Sequence, residues 1–216
     1  MTTLPSSPPS LKMRRPLLWI LALLLIGVFS VYGYWVVAQH RLTVISPNKV
    51  YQSAAMSPAA LEKVVTANGI QTVFDFRGDP DDSPAIVNER RMLESHGLHY
   101  RHIPSSTRPD PQTVDQFLKA LGPEVAQHRV LLLHCHDGEG RAVFYSAVYR
   151  MEYEGWDPRK AYEGTTRLPP SLMFLNRLIP GLGRLADTNP KTPLILNYRP
   201  HHSDFLDAQS PLVAPN

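Results

Sequence analysis

An α/β fold, with a central and mostly parallel sheet flanked by helices and one membrane-spanning helix ahead of it, is what this 216-residue sequence predicts. Three observations carry that reading. No residue from Pro16 to Gln39 is charged, and a helix of that length, at about 1.5 Å per residue, spans roughly 36 Å. Beyond it, short β-type runs alternate with helical patterns, the layout of an α/β domain. Val130 to Leu133 is a continuous apolar run, as a central strand covered on both faces requires.

The elements follow in order. Residues 1–15, with Pro and Ser frequent before Lys12, are expected to form a disordered cytoplasmic tail. In the apolar segment over 16–39, Trp19 near one end and Tyr32, Tyr34 and Trp35 near the other match interfacial aromatic belts. Lys12, Arg14 and Arg15 precede it and only Arg41 closely follows, so the N-terminus is expected in the cytoplasm. The rest then lies on the extracytoplasmic face of the cytoplasmic (inner) membrane, held by a single pass. A cleaved signal peptide would have the same orientation, but no small-x-small cleavage site follows.

Strands are expected at Leu42–Ile45, Val50–Gln52, Gln71–Phe76, Leu98–Ile103 and Val130–His134. Ser57-Pro58 offers a cap and a first-turn proline for a helix ended by Asn68-Gly69. A second helix runs from Pro84 to Ser95, closed by Gly97. A third begins at Pro111 and buries Val114, Phe117, Leu118 and Leu121 at helical spacing. Arg141–Tyr153, Pro158–Thr165 and Pro170–Ile179 complete the helices. The folded domain is therefore placed at 42–180. Pro190, Pro193, Pro200, Pro211 and Pro215 argue that 181–216 is a Pro-rich tail without a packed domain of its own.

Net charge is +3 and the sequence pI about 9.0, but the 22 Lys and Arg form no stripe or block, so nucleic acid is not an expected partner. The single cysteine, Cys135, excludes an intramolecular disulfide and leaves one thiol either to pack as a small apolar group or to react.

The chemistry lies in His134-Cys135-His136-Asp137-Gly138-Glu139-Gly140-Arg141. A cysteine at a strand end and an arginine at a helix start are joined by a loop with two glycines. Such a loop can turn its N–H groups of His136 to Gly140 toward an anion, with the helix N-terminus adding partial positive charge. The same field favours a thiolate at Cys135, and the guanidinium of Arg141 can grip two phosphoryl oxygens at once.

In this stretch the chain resembles the cysteine-dependent protein tyrosine phosphatase superfamily, whose loop reads His-Cys, two residues, Gly, two residues, Arg; His134, Cys135, Gly138 and Arg141 fall in register. The resemblance extends over about 42–180. Val50-Tyr51-Gln52-Ser53-Ala54, Gly69 to Arg77 and His102-Ile103-Pro104 look like the opening strands of compact bacterial dual-specificity-like phosphatases. It implies a protein tyrosine phosphatase-like fold in which Cys135 attacks phosphorus, a cysteinyl-phosphate forms and water hydrolyses it, with no metal or other cofactor. It makes His134 a supporting residue that holds the loop by hydrogen bonds to backbone. The implied partner is a phosphorylated substrate: a phosphoprotein, a phospholipid, or an inositol or isoprenoid phosphate.

Two departures stand out. The superfamily has Ser or Thr after the arginine, where its hydroxyl assists the leaving thiolate, and here Ala142 stands. Its general acid is an aspartate on the loop after the strand equivalent to 98–103; the nearest carboxylate here is Asp110, which serves equally well as a cap for the helix at Pro111. Asp137 and Glu139 are alternative acids, or else point to solvent and offer only their N–H groups. Arg77 lines the pocket or forms a surface ion pair. His134 and His136 flank the cysteine and His99 and His102 lie upstream, but the latter two, three apart on a strand, face opposite ways and do not easily share one zinc ion. Two other functions fit the loop: a phosphate-binding module with weak turnover, and a rhodanese-type sulfurtransferase, whose loop the glycines and Arg141 match less well.

Overall fold

A helix, α1 (Leu11–Val37), leads into a five-stranded sheet in the computed structural model, which describes residues 11–201, with side chains from Pro16 onward. The tail expected over 1–15 lies outside the described residues up to residue 10, as does the C-terminal stretch from 202. From Pro16 to Val37 the helix has a mean hydropathy of 2.2, and Leu17, Trp19, Leu24 and Phe29 are exposed. It is long and apolar enough to cross a membrane, and its uncovered faces have no protein to rest on. The helix stops at Val37, before the expected Gln39, because His40 and Arg41 both adopt left-handed φ angles (48° and 56°) and turn the chain. Trp35 is not a free interfacial aromatic: it is buried, and its indole N–H donates to the Leu42 carbonyl at 3.0 Å, whereas Tyr34 is exposed.

The strands β1 (Thr43–Ser46), β2 (Val50–Ala54), β3 (Thr72–Asp75), β4 (His99–His102) and β5 (Leu131–Cys135) stand in the order β1-β2-β5-β3-β4. Only β1 runs antiparallel. The helices α2 (Pro58–Asn68), α3 (Pro84–Ser95), α4 (Pro111–Ala126) and α5 (Arg141–Tyr153) form where their caps and prolines predict. Ser57 caps α2 and Gly69, at φ 62°, ends it in the left-handed conformation. Strand alternation divides the core. Leu131, Leu133 and Cys135 join Phe74, Phe76, Phe117 and Tyr145 under α4 and α5, while Leu132 joins Val73, Leu61, Val65, Ile86 and Leu93 under α2 and α3.

Past α5 the structure departs from expectation twice. α6 (Pro158–Glu163) forms, but the helix expected over 170–179 breaks into a single 3-10 turn at Pro170–Leu172 and a four-residue α7 (Leu175–Leu178). The Arg167 N–H donates to the Gly183 carbonyl and pinches this stretch into a loop, and Phe174, Leu178 and Ile179 stay exposed, so no buried face supports a longer helix. The boundary at residue 180 also needs correction. Leu185 and Ile195 are fully buried in the same core as α5 and α6, and α8 (Thr192–Leu196) accommodates Pro193 in its first turn, where no N–H is needed. The prolines that argued against packing at 190 and 193 are compatible with it.

Candidate active site

Cys135 ends β5 at the C-terminal edge of the parallel sheet, where open α/β sheets place their ligands. It is 2% exposed and lies at the floor of a cavity of about 190 Å³, and the loop His136–Gly140 carries the chain into α5. The neighbouring strands hold this edge: Ala55 N–H donates to the Cys135 carbonyl at 2.7 Å and Phe76 N–H to that of His134 at 2.9 Å. Gly138, at φ 66°, packs against β2 so closely that a Cβ would lie 2.6 Å from the Ala54 nitrogen, and Gln52 Nε2 donates to its carbonyl. No other residue fits there, on both torsional and steric grounds.

Arg141 opens α5 and turns its guanidinium back over the cavity, where Nη1 donates to the carbonyls of Phe76 (2.9 Å) and Ser105 (3.1 Å). Ser105 is itself held by the Tyr145 hydroxyl at 3.0 Å. Neither Nη2 nor Nε of Arg141 has a protein partner among the described residues, so that edge is available to an anion.

The His134 side chain, expected to hold the loop through backbone, makes no hydrogen bond to backbone among the described residues. Its Nε2 lies 2.8 Å from Glu89 Oε1 and 3.8 Å from Asp75 Oδ1, all three buried. Burial opposes its charge, but the two carboxylates outweigh it and raise the imidazole's pKa above the ordinary value. Arg77, read from sequence as a pocket or surface residue, is instead the centre of this group. Its Nε and Nη2 bind Asp75 Oδ2 at 2.9 and 2.6 Å, and Nη2 binds Glu89 at 2.7 Å. Tyr100 donates to Asp75 at 2.6 Å. Although burial raises the Asp75 pKa, His134, Arg77 and Tyr100 together hold it far below the usual carboxylate range. Two acids and two bases thus form a buried cluster beneath the loop that follows Cys135. The remaining histidines do not converge on it: His99 pairs with Glu124, His102 with Asp81, and His136 with Asp137.

Asp110 occupies the N-cap of α4, accepting from Thr113 N–H at 2.8 Å and from the Thr113 hydroxyl at 2.9 Å. These bonds lower its pKa. It lines a separate cleft with Pro109, Val114, Phe144 and Leu194, not the cavity at Cys135. The cap is therefore its visible role. Asp110→Asn, which retains a capping oxygen, is expected to leave turnover of alkyl and aryl phosphates within about twofold of the parent. Asp110→Ala is expected to lower the melting midpoint. A selective loss with poor leaving groups in Asp110→Asn would instead make it the acid.

Within the loop, Asp137 lines the cavity mouth, its side chain 72% exposed and, among the described residues, paired only with His136. Glu139 does not face free solvent: it is clasped by Arg167 at 2.9 Å and by Arg41, from the turn after α1. Arg41, Arg167, Glu89 and Lys191, all in or around this site, were not singled out by sequence reasoning for these positions, since each arrives from a segment remote from the loop.

A family model of protein tyrosine phosphatase-like phytases, described by the words inositol hexakisphosphate, matches residues 48–152. Compared by sequence with curated proteins, the chain matches none. Among solved structures it is similar to TpbA of P. aeruginosa, at 21% identity over 81% of this chain and 93% of that one, with a TM-score of 0.56. It is also similar to PTPMT1 in complex with PI(5)P, at 12% identity over 77% and 97%, TM-score 0.57. A third is the core catalytic domain of the PP-IP phosphatase SIW14 from S. cerevisiae, at 12% over 77% and 90%, TM-score 0.53. At these identities the structural likeness establishes the shared fold.

Proposed function

We propose that the chain, whose residues 48–152 match a family model of protein tyrosine phosphatase-like phytases, is a cysteine-dependent phosphatase that hydrolyses phosphomonoesters through a cysteinyl-phosphate at a membrane surface. The observation that carries this reading is the cavity itself, a buried cysteine under a glycine-bearing loop with the open edge of Arg141 beside it. In the first step the Cys135 thiolate forms the S–P bond as the P–O ester bond breaks, while Arg141 and the loop N–H groups hold the phosphoryl oxygens. We assign protonation of the departing oxygen to Asp137, the carboxyl at the cavity mouth. Water, giving a proton to the Asp137 carboxylate, then forms the new P–O bond as the S–P bond breaks, which releases phosphate and restores the thiolate. Ala142 is fully buried at the start of α5 and offers no hydroxyl to that thiolate, which supports a second reading as a phosphate-binding module with slow turnover. Hydrolysis of p-nitrophenyl phosphate by the full chain in detergent micelles, with competitive inhibition by vanadate, tests the assignment; no turnover together with phosphate binding would favour the module.

The substrate class we favour is a phosphorylated lipid headgroup. His40 accepts from Ala54 N–H at 2.7 Å and Arg41 pairs with Glu139, so the exit of α1 sits against the same sheet edge as the catalytic loop. A site so close to a membrane exit meets headgroups before it meets soluble phosphoproteins. Orientation follows the basic residues ahead of the helix, which favour an extracytoplasmic domain. Carboxy-terminal fusion to alkaline phosphatase is then expected to be active and fusion to green fluorescent protein dark; the reverse pattern would place the site in the cytoplasm.

A further inference from the structure

The geometry points to Lys191 as a second side-chain cation on the transferring phosphoryl group, delivered to the catalytic cavity by the segment after residue 180. Lys191 lines that cavity with Cys135, Arg141 and Arg167, yet is only 6% exposed. Its Nζ lies over Gly140: a Cβ placed there would be 3.2 Å from Nζ and 3.3 Å from Cε. No carboxylate pairs with it among the described residues. Of the two acids that line the cavity, Glu139 is taken by Arg41 and Arg167 and Asp137 pairs with His136.

The backbone that presents this side chain is firmly placed. Lys191 N–H donates to Asn189 Oδ1 at 3.0 Å, the Thr192 hydroxyl donates to the Ala186 carbonyl at 2.8 Å, and Ile195, fully buried, donates its N–H to the Lys191 carbonyl. A buried ammonium without a counter-charge is costly, and a protein that needed only an aliphatic stem here would do better with methionine. Burial and the charge of Arg141 lower the lysine's pKa, while the charge of Cys135 works in the opposite direction. The arrangement gains its partner when an anion arrives.

Charge counting gives the same answer. A thiolate and a phosphomonoester dianion bring three negative charges into one cavity. Arg141 and the N-terminus of α5, worth about half a charge, leave about one and a half unmet. Lys191 reduces the deficit to about half a charge. The identity of the anion rests on the phosphatase reading above; the presence of the cation beside Cys135 does not.

The single cysteine allows the two to be tested apart in the full chain in detergent micelles. Alkylation of Cys135 by iodoacetate, an anion, is compared with alkylation by neutral iodoacetamide. Lys191→Met is expected to lower the iodoacetate-to-iodoacetamide rate ratio about tenfold and to raise the inhibition constant of inorganic phosphate by a similar factor, with Lys191→Arg retaining most of both. Thermal midpoint should not fall in Lys191→Met, which separates this role from a structural one. A ratio and a phosphate inhibition constant unchanged in Lys191→Met would overturn the proposal, as would loss of both in Lys191→Arg with its fold intact. A Lys191-dependent ratio in a protein that never hydrolyses p-nitrophenyl phosphate would sink the phosphatase reading and leave this one standing.

Discussion

Cys135→Ser is expected to lower phosphomonoester turnover by about four to six orders of magnitude while leaving inorganic phosphate binding within a few-fold of the parent. The two properties separate because different groups carry them. Sulfur supplies the nucleophile, whereas the anion site is made by loop N–H groups, the α5 N-terminus and Arg141, none of which depends on the Cys135 side chain. The loop's shape is also independent of it, being set by Gly138 against β2, by Gln52 on the Gly138 carbonyl, and by backbone bonds to Cys135 and His134. Serine is nearly isosteric and can stay in place, but its hydroxyl has no base beside it to remove the proton. Calorimetric titration with phosphate, alongside steady-state hydrolysis of an aryl phosphate, checks both halves. A serine variant hydrolysing at near the parental rate would mean that no cysteinyl-phosphate forms, and one that no longer binds phosphate would mean the loop had collapsed.

The second large effect is on stability. Arg77→Met should destabilise the domain by roughly 3–5 kcal/mol, because it leaves Asp75 and Glu89 buried with only His134 between them. For a domain of this size that corresponds to a fall in melting midpoint of roughly 6–20 °C. The catalytic loop should suffer as well, since His134 immediately precedes Cys135 and takes its orientation from the same carboxylates. Arg77→Lys keeps a charge but not the fork that binds Asp75 and Glu89 together, and is expected to fall between the two. Thermal unfolding of the three proteins at neutral pH measures this; a midpoint in Arg77→Met equal to the parent's would show that the buried cluster contributes nothing to stability.

Arg77 also shows where sequence reasoning stopped. Its position at the end of β3 was legible, but its partners were not: Asp75 is two residues away, Glu89 lies on α3 and His134 on β5. Whether a strand-end arginine reaches a pocket, the solvent or a buried acid depends on which strand and helix come to lie against it. Asp110 was legible as far as its chemistry allowed, for an aspartate before Pro111 suits both a cap and an acid, and only its hydrogen bonds to Thr113 and its distance from the Cys135 cavity separate them.

The sequence by itself determined the α/β class, the apolar helix, the four main domain helices and the loop from His134 to Arg141. These are encoded by signals that act within a few residues, namely apolar periodicity, first-turn prolines, capping side chains and glycines at fixed offsets. Tertiary structure alone decided that Trp35 is buried and bonds the Leu42 carbonyl, that Arg41 and Arg167 clasp Glu139, and that Leu185 and Ile195 join the core and bring Lys191 over Gly140. Apart from the local bond of Trp35 to Leu42, those contacts join segments about 30 to 100 residues apart. Their energy comes from charge pairing and burial that exist only once the sheet has set which segments meet, so no local pattern records them.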